Sequence, residues 1–344
     1  MIDLRSDTIT VPGPEMRQAM ASAKVGDDVF GEDPTVHELE ETTAGLLGKQ
    51  AALFVPSGVM ANQTAIKAQT SAGDEVVVEE TSHILLYESG AAPVLSGVQL
   101  RTVKGENGLV RPSQVEYLLR GEDVHVAPVR LICLENTHNK AGGRVLPLDG
   151  IRGLSEFAQK NELRLHMDGA RLWNAAVALG VRPAEIARYV DSVAVCFSKG
   201  LGAPVGSAIA GPEPFIRRCR KIRKMLGGGM RQAGIIAAGA LYAVRHQYER
   251  LREDHDHARA FAGIIAERSC LLVDLSSVQT NIVIMDVSPT GLSTAEIISR
   301  MQEKGVRFTS MDGSLLRAVT HCDVSKSDVL AAAELLAGEF PSQV

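Results

Sequence analysis

The chain has 344 residues, of which 45% are hydrophobic and 22% are charged, the balance of an ordinary globular protein. Its length exceeds a typical domain of about 100–200 residues, so we expect one large domain and a smaller one. The 36 Lys and Arg residues against 41 Asp and Glu residues give a formal net charge of -5, which does not favour a nucleic-acid partner. No apolar run approaches the roughly 20 residues that span a bilayer, so we expect no membrane partner.

Cysteine usage and the first residues bear on the cellular compartment. The five cysteines are odd in number, widely spaced and free of CxxC pairs, so the sequence predicts neither a disulfide framework nor a metal site. The opening stretch MIDLRSDTIT carries acidic residues and lacks the apolar region of a secretory signal. These features favour a reducing, cytoplasmic compartment.

Short β-branched runs alternate with stretches of helical period through most of the chain. The predicted strands are 51–55, 74–80, 98–103, 129–135, 163–168, 191–197 and 206–211. The helices predicted between them are 34–47, 59–70, 112–120, 149–160 and 169–180. This alternation is typical of a mostly parallel, seven-stranded sheet covered by helices.

The alternation ends at about residue 212, where long helical runs over 212–226 and 230–266 lead into a C-terminal module. Its further predicted elements are a strand at 281–287, a helix near 293–304, a strand at 314–319 and a helix near 325–337. We therefore predict an α/β fold with a large domain over 1–250 and a small α+β domain over 251–344. Residues 1–30 form an N-terminal arm of the large domain that contributes to the site.

Candidate site residues follow the strands, because ligands of such sheets bind at the carboxyl ends of the strands. Ser57 and Gly58 come after the strand 51–55 and open a helix, whose free amides suit an anion such as phosphate. A simple turn and helix cap is the alternative for this pair. His83 follows the strand 74–80, where a lone histidine is also compatible with a structural role.

Two charged residues stand at the carboxyl ends of later strands: Asp168 ends the strand 163–168, and Lys199 follows the strand 191–197. Asp168 follows an apolar run, and a partly desolvated carboxylate needs a cationic partner, such as a protonated ring nitrogen or the nearby Arg171. Lys199 lies among small residues that leave room for a ligand, and a lysine amine is the group that condenses with an aldehyde. A solvated loop lysine is the alternative. A helix start for a phosphate, a carboxylate for a protonated ring nitrogen and an amine for an aldehyde together indicate pyridoxal 5'-phosphate. This cofactor is an electron sink and is held by a lysine.

Seven segments of the chain resemble the low-specificity threonine aldolases in order and spacing. They are DLRSDT, GDDVFGEDPTVHELE, LFVPSG, ENTHN, HMDGARLWNA, SKGLGAPVGS and KMLGGGMRQAG. The resemblance implies an aspartate-aminotransferase-like fold, pyridoxal 5'-phosphate as cofactor, and sites shared between the subunits of a homodimer or homotetramer. It also implies aldol cleavage of L-threonine, L-allo-threonine and related L-β-hydroxy-α-amino acids to glycine and an aldehyde.

The resemblance also implies a role for each matching residue near the cofactor. Lys199 would hold the cofactor, His83 would stack on its ring, and Asp168 would pair with the ring nitrogen. Arg231 would approach the phosphate from a neighbouring subunit. The other positions that match cofactor contacts are Ser57, Gly58, Val59 and Arg171.

Around the substrate, Ser6, Arg171 and Arg317 match residues that bind the amino-acid carboxylate. His125 matches a histidine near the substrate's β-hydroxyl. The base that removes the hydroxyl proton is then His83, His125 or an ordered water, and our hypothesis is His83, directly or through water.

Two positions depart from the family pattern. Val59 stands where the phosphate loop usually has threonine, and Phe30 stands where the GDDVYGEDP motif has tyrosine. Each change removes a polar contact but leaves the lysine, aspartate and histidine in place. We therefore expect activity to survive, with cofactor retention or substrate preference more affected.

Three other functions fit parts of the sequence. A β-eliminating lyase or an aminotransferase would use the same fold and cofactor. A non-catalytic binding protein would keep the fold but commonly lose the lysine, and Lys199 argues against it. Nucleic-acid binding would rest on the basic run RRCRKIRK at 217–224, which we interpret as an amphipathic helix because its apolar residues recur at helical spacing.

Overall fold

The computed structural model describes residues 1–121 and 123–342, so the last two residues of the predicted small domain lie outside the described residues. Its strands are β1 (Ile2–Asp3), β2 (Ala51–Val55), β3 (Glu75–Glu79), β4 (Gln99–Val103), β5 (Val129–Glu135), β6 (Arg164–Gly169), β7 (Ser192–Cys196), β8 (Ser207–Gly211), β9 (Ile282–Asp286), β10 (Val306–Arg307), β11 (Thr309–Ser310) and β12 (Leu315–Val319). Its α-helices are α1 (Pro14–Ala21), α2 (Pro34–Leu47), α3 (Gly58–Gln69), α4 (His83–Leu86), α5 (Pro112–Glu116), α6 (Leu148–Lys160), α7 (Leu172–Leu179), α8 (Pro183–Ala187), α9 (Glu213–Met225), α10 (Gly234–His246), α11 (Leu251–Arg268), α12 (Thr294–Glu303) and α13 (Lys326–Glu339).

Seven strands form one sheet in the order β2-β8-β7-β6-β5-β3-β4. β8 runs antiparallel to both of its neighbours, whereas the remaining pairs are parallel. Six strands therefore point the same way, and their carboxyl ends share one edge. The predicted seven-stranded, mostly parallel sheet is confirmed, with every strand within one residue of its predicted bounds.

The central strands are buried along nearly their whole length because helices cover both faces of the sheet. Val76, Val77 and Val78 of β3, for example, are fully buried. Helix α2 begins at a side-chain cap: the Asp33 carboxylate accepts hydrogen bonds from the first amides of α2, and Pro34 follows it. No helix in the described part of the chain is both long and apolar enough to cross a membrane.

A second apolar core lies in the C-terminal part. Strands β11, β12 and β9 form an antiparallel sheet, against which α11 and α12 pack, and α13 packs on α11. The chain's first residues join this part, because β1 pairs with β10 and Leu4 is buried in its core. α11 joins both cores, with Leu251 in the large one and Ala258 in the C-terminal one. The boundary at residue 251 remains a prediction.

The basic helix α9 is amphipathic, and its arginines contact carboxylates or carbonyls of the same chain. Ile216, Cys219 and Ile222 are buried against the sheet and α3. Arg223 is buried too, and it donates to the Asp28 carboxylate at 2.5 Å and to a backbone carbonyl at 2.8 Å. Its charge is therefore compensated inside the fold.

Candidate active site

A cavity of about 510 Å³ opens at the edge of the large sheet where the parallel strands end. Its wall includes five of the predicted site residues, namely Ser6, His83, Arg171, Lys199 and Arg317. The segment 309–312 of the C-terminal part lines the opposite side. The cavity thus lies between the large sheet and the C-terminal part, and the N-terminal arm contributes Ser6.

Lys199 reaches the cavity from the turn that follows β7. Its carbonyl accepts a hydrogen bond from the Gly202 amide at 2.7 Å, and the Ala203 amide donates to the Phe197 carbonyl at 3.1 Å. Gly202 has a φ of +75°, in the left-handed region that glycine favours. A Cβ on Gly200 would lie 2.8 Å from a Leu251 methyl carbon, so this glycine serves close packing. The turn therefore holds Lys199 on the wall of the cavity, where its side chain is partly buried.

Asp168 is a buried carboxylate near the end of β6, with an exposed fraction of 3%. One of its oxygens accepts a hydrogen bond from the Asn62 amide at 2.8 Å, and the other accepts one from the Ala170 backbone at 3.0 Å. Both donors are neutral, and Asp168 forms no ion pair with any residue in 1–121 or 123–342. A buried negative charge without a cation is costly, so this position suits a cationic ligand atom.

His83 is oriented by two carboxylates. Its backbone amide donates to Glu135 at 2.6 Å, and its Nδ1 lies 2.9 Å from a carboxylate oxygen of Glu88. Because an ionised carboxylate only accepts, His83 Nδ1 carries the proton of that bond. Burial lowers the pKa of His83, but the hydrogen bond to Glu88 and the charges of Asp168 and Glu88 outweigh it, so the net shift is upward. The bond leaves Nε2 as the ring atom available to a ligand.

His83, Glu88 and Asp168 offer ligand atoms within 4.8 Å of one another, a set of residue types that also binds metal ions. Asn62 occupies the space between the two carboxylates, because its amide nitrogen donates to Glu88 and to Asp168, both at 2.8 Å. Glu88 also accepts a hydrogen bond from Gln63 at 2.6 Å. The cluster is thus held together by amide donors.

Arg171 is held by Asp7 of the N-terminal arm. Its Nε and one terminal nitrogen donate to the two carboxylate oxygens at 2.8 and 2.7 Å, and both side chains are buried. Asn281 donates to the same carboxylate at 3.2 Å. Burial alone would raise the pKa of Asp7, but the charge and hydrogen bonds of Arg171 hold it well below its usual range. The pair fixes the Arg171 guanidinium on the cavity wall.

Arg317 enters the cavity from β12 with part of its guanidinium unsatisfied. Its terminal nitrogens donate to Asn139 at 3.0 Å and to the Arg5 carbonyl at 3.2 Å. Its Nε is buried without a hydrogen-bond partner among the described residues. Burial and the charge of Arg171 both lower the pKa of Arg317. The two guanidinium groups repel each other, and the Arg317 Nε has a proton to donate. Both features favour binding of a carboxylate ligand between them.

The residues at the start of α3 that are predicted to bind phosphate lie at the same sheet edge but are not on the wall of this cavity. Ser57 caps α3 by accepting a hydrogen bond from the Met60 amide at 3.1 Å. A Cβ on Gly58 would lie 2.9 Å from the sulfur of Cys196, the last residue of β7. The start of α3 therefore packs directly beside the strand that leads to Lys199. The backbone amides there keep the anion-binding geometry of a helix N-terminus.

His125 and Arg231 lie away from the cavity within one chain. His125 is in the exposed loop before β5, at the amino end of a strand that is about 20 Å long. It is therefore at the opposite sheet edge. Arg231 is exposed and forms an ion pair with Asp27 at 2.9 Å. Neither residue lies on the wall of this cavity within one chain.

Several residues that shape the site are not predicted from the sequence. Asp7 stands beside the predicted site residue Ser6 in the DLRSDT segment, and this position is a local signal for a carboxylate partner of Arg171. Glu88 follows His83 by five residues, a spacing that indicates nothing without the turn between them. Asn62 joins the site only because α3 packs on the sheet, and the sequence carries no local signal for it.

Comparison with known proteins agrees with this geometry. The family model described as β-eliminating lyase matches residues 3–288. Low-specificity L-threonine aldolase 1 of Arabidopsis thaliana is 41% identical over 333 residues, which cover 95% of this chain and 93% of that protein. A solved structure of Leishmania major threonine aldolase superposes with a TM-score of 0.84 at 18% identity, covering 98% of this chain and 99% of that one. Thermus thermophilus aspartate aminotransferase superposes with a TM-score of 0.71 at 15% identity, covering 98% and 91%.

The fold and the matched residues place the chain in the β-eliminating lyase family, so it is a lyase. Within that family it belongs with the low-specificity L-threonine aldolases. The predicted family, the predicted lyase class and the predicted aspartate-aminotransferase-like fold are therefore confirmed.

Proposed function

We propose that this protein cleaves L-threonine, L-allo-threonine and related L-β-hydroxy-α-amino acids to glycine and an aldehyde, with pyridoxal 5'-phosphate as cofactor. The observation that carries the proposal is one cavity whose wall holds Lys199 together with the two guanidinium groups of Arg171 and Arg317. An amine for an aldehyde and two cations for a carboxylate are the groups that this reaction needs. The relatives' names supply the substrate class.

The described residues fit the cofactor. Lys199 would hold its aldehyde carbon. The buried Asp168 carboxylate, which has no cationic partner within 1–121 or 123–342, would hold its protonated ring nitrogen. The amides at the start of α3, after Ser57, would bind its phosphate. When bound, pyridoxal 5'-phosphate supplies an electron sink for the pair left on Cα as the Cα–Cβ bond breaks.

The chain's own residues would set which bond breaks. Arg171 and Arg317, with Ser6, bind the substrate carboxylate and so fix the rotation of the amino acid about its Cα. Asp7 keeps Arg171 in place from behind. His83, with Nδ1 committed to Glu88, accepts the β-hydroxyl proton at Nε2, directly or through a water.

Product analysis tests this function. The purified protein is given pyridoxal 5'-phosphate and either threonine diastereomer, and we expect visible absorption from lysine-bound cofactor together with glycine and acetaldehyde in equal amounts. β-Elimination is the second candidate, because the matching family model carries that name. It would give a keto acid and ammonia instead. A colourless protein that binds no added cofactor would contradict both.

Replacing Asp7 with asparagine should weaken substrate binding more than cofactor binding. The change removes the charge that holds Arg171, so we expect the KM for L-threonine to rise about tenfold to hundredfold, the range for a hydrogen bond to a charged group. Steady-state kinetics at saturating cofactor separate KM from kcat. Asp3→Asn is the matched control, since its pair with Arg5 is exposed and such pairs contribute little. Equal KM values for the two variants would contradict the role of Asp7.

We also propose a homo-oligomer in which a neighbouring subunit supplies His125 and Arg231 to the site. Support comes from their positions, since both are exposed and away from their own chain's cavity. The exposed Phe30 and the partly exposed Val59 are also available for such a contact. Light scattering measures the mass, and a monomer with full activity would contradict the proposal.

The compartment is a related proposal. The five cysteines are free, and three of them are buried, as is typical of a reducing environment. We propose the cytoplasm on this ground. Cell fractionation tests it, and recovery of the protein in an oxidising compartment would contradict it.

A further inference from the structure

A chain of buried hydrogen bonds runs from Asp168 away from the cavity and into the large domain. Its first link is Asn62, whose amide nitrogen donates to Asp168 and Glu88. Its second link is His166, whose Nε2 lies 3.2 Å from the Asn62 carbonyl oxygen. The side chain of His166 is fully buried. This histidine was not among the predicted site residues, although it lies two positions before Asp168.

All of these buried hydrogen bonds are donated in one direction, toward Asp168. Asn62 must turn its nitrogen toward the two carboxylates, because they accept hydrogen bonds and do not donate. Its oxygen then faces His166, so Nε2 of that ring must carry a proton. Burial lowers the pKa of His166 to about 4, so the ring is neutral near pH 7 and Nδ1 is an acceptor.

The hydrogen bonds farthest from Asp168 hold His166 in the tautomer that carries its proton on Nε2. Nδ1 of His166 lies 2.9 Å from the Ser192 hydroxyl, which must therefore donate to it. The Ser192 oxygen in turn accepts a hydrogen bond from the Gln69 amide at 3.0 Å. Each group thus donates toward the site, and reversing any link would set two acceptors or two donors against each other.

We propose that His166 is a positioning residue for Asp168, acting through Asn62, and that Ser192 holds the tautomer of His166 that this role requires. The proposal rests on the proposed function, in which Asp168 binds the cofactor's ring nitrogen. Without the His166 donor, the buried Asn62 carbonyl oxygen loses its hydrogen-bond partner, and the side chain is held only at its nitrogen end. Asn62 would then position the Asp168 carboxylate less firmly.

A matched pair of substitutions at position 166 tests the proposal. In His166→Gln the side-chain amide nitrogen stands near the place of Nε2, so the donor to Asn62 is kept. In His166→Asn the amide stands near the place of Nδ1, so the contact with Ser192 is kept and the donor to Asn62 is lost. We expect the dissociation constant for pyridoxal 5'-phosphate to rise about tenfold in the asparagine variant, and less than about threefold in the glutamine variant.

The measurement is a titration of each full-length protein, freed of bound ligand, with pyridoxal 5'-phosphate, alongside its thermal midpoint. Similar midpoints with different affinities support the positioning role. Equal affinities of the two variants, whether both weak or both unchanged, overturn it, since a purely structural histidine would not distinguish them. A wild-type protein that binds no cofactor would overturn the proposed function itself, which keeps the two failures apart.

A second pair covers the case in which the position 166 variants do not fold. Ser192→Ala removes the hydroxyl that donates to His166, and we expect it to weaken cofactor binding at least about threefold. Thr64→Val is the control, because Thr64 is also buried but its hydroxyl has no partner among the described residues. If Ser192→Ala weakens binding no more than Thr64→Val does, the proposal is overturned.

Discussion

Replacing Lys199 with arginine is expected to abolish aldol cleavage and the visible absorption of the lysine-bound cofactor. Arginine keeps the positive charge and much of the length, but its guanidinium stays protonated and cannot condense with an aldehyde. The cavity wall also carries Lys140, but the ammonium of that lysine is paired with the Asp312 carboxylate. Absorption spectra after removal of unbound cofactor, together with assays of glycine and acetaldehyde, measure both losses.

The control for this experiment is Lys104→Arg, at an exposed position after β4. It should retain wild-type absorption and turnover, because the same chemical change there touches no part of the cavity. Cleavage by Lys199→Arg above the rate of the free cofactor in solution would contradict the assigned role of Lys199.

Replacing His83 with asparagine is expected to lower kcat by about 10²- to 10⁴-fold, the range for loss of a general base, while the cofactor absorption remains. Asparagine can keep a hydrogen bond to Glu88 but has no basic nitrogen. The measurement is kcat with saturating cofactor and substrate, with the exposed His37→Asn as a control that should behave like wild type. Near-normal turnover would leave His125 or an ordered water as the base.

The pH dependence adds an independent readout for the same histidine. The pKa of His83 is raised in the folded protein, so the stability from its pair with Glu88 is fully present below its ordinary pKa of about 6.5. That stability is lost as the pH rises through the raised value. A base must be neutral, so kcat should increase over the same interval.

Glu88→Gln provides the test of this pH dependence. The variant removes the charge that raises the pKa of His83 but keeps an oxygen that can accept from Nδ1. The rising limb of kcat against pH should therefore move to lower pH than in wild type. An unchanged limb, or one at higher pH, would show that Glu88 does not control the proton on His83.

Much of the fold was predictable from local pattern. The seven strands of the large sheet lie within one residue of their predicted bounds, because most of them are buried, largely apolar runs between turn residues. The edge strand β4 is the exception, since much of it is exposed. The short helices α1, α4 and α8 were not predicted. They carry few residues, and a helical period needs several turns to be recognised.

The site was predictable only in part, because the strand pattern indicates which residues meet at the sheet edge but not what they do there. Asp168 lies near the carboxyl end of its strand, and His83 and Lys199 follow theirs, so their meeting at one edge follows from topology. Their roles remain predictions, which the variants above test. His125 also matched the family pattern, but it precedes its strand and therefore lies at the other edge within one chain.

The sequence by itself determined the family, the sheet and the residues that end its strands, since these depend on composition and spacing along the chain. Only the tertiary structure decided what holds those residues. Asp7 reaches Arg171 across 164 positions, and Asn62 reaches Asp168 across 106. Such contacts depend on how helices and the N-terminal arm pack on the sheet, and no local pattern encodes them.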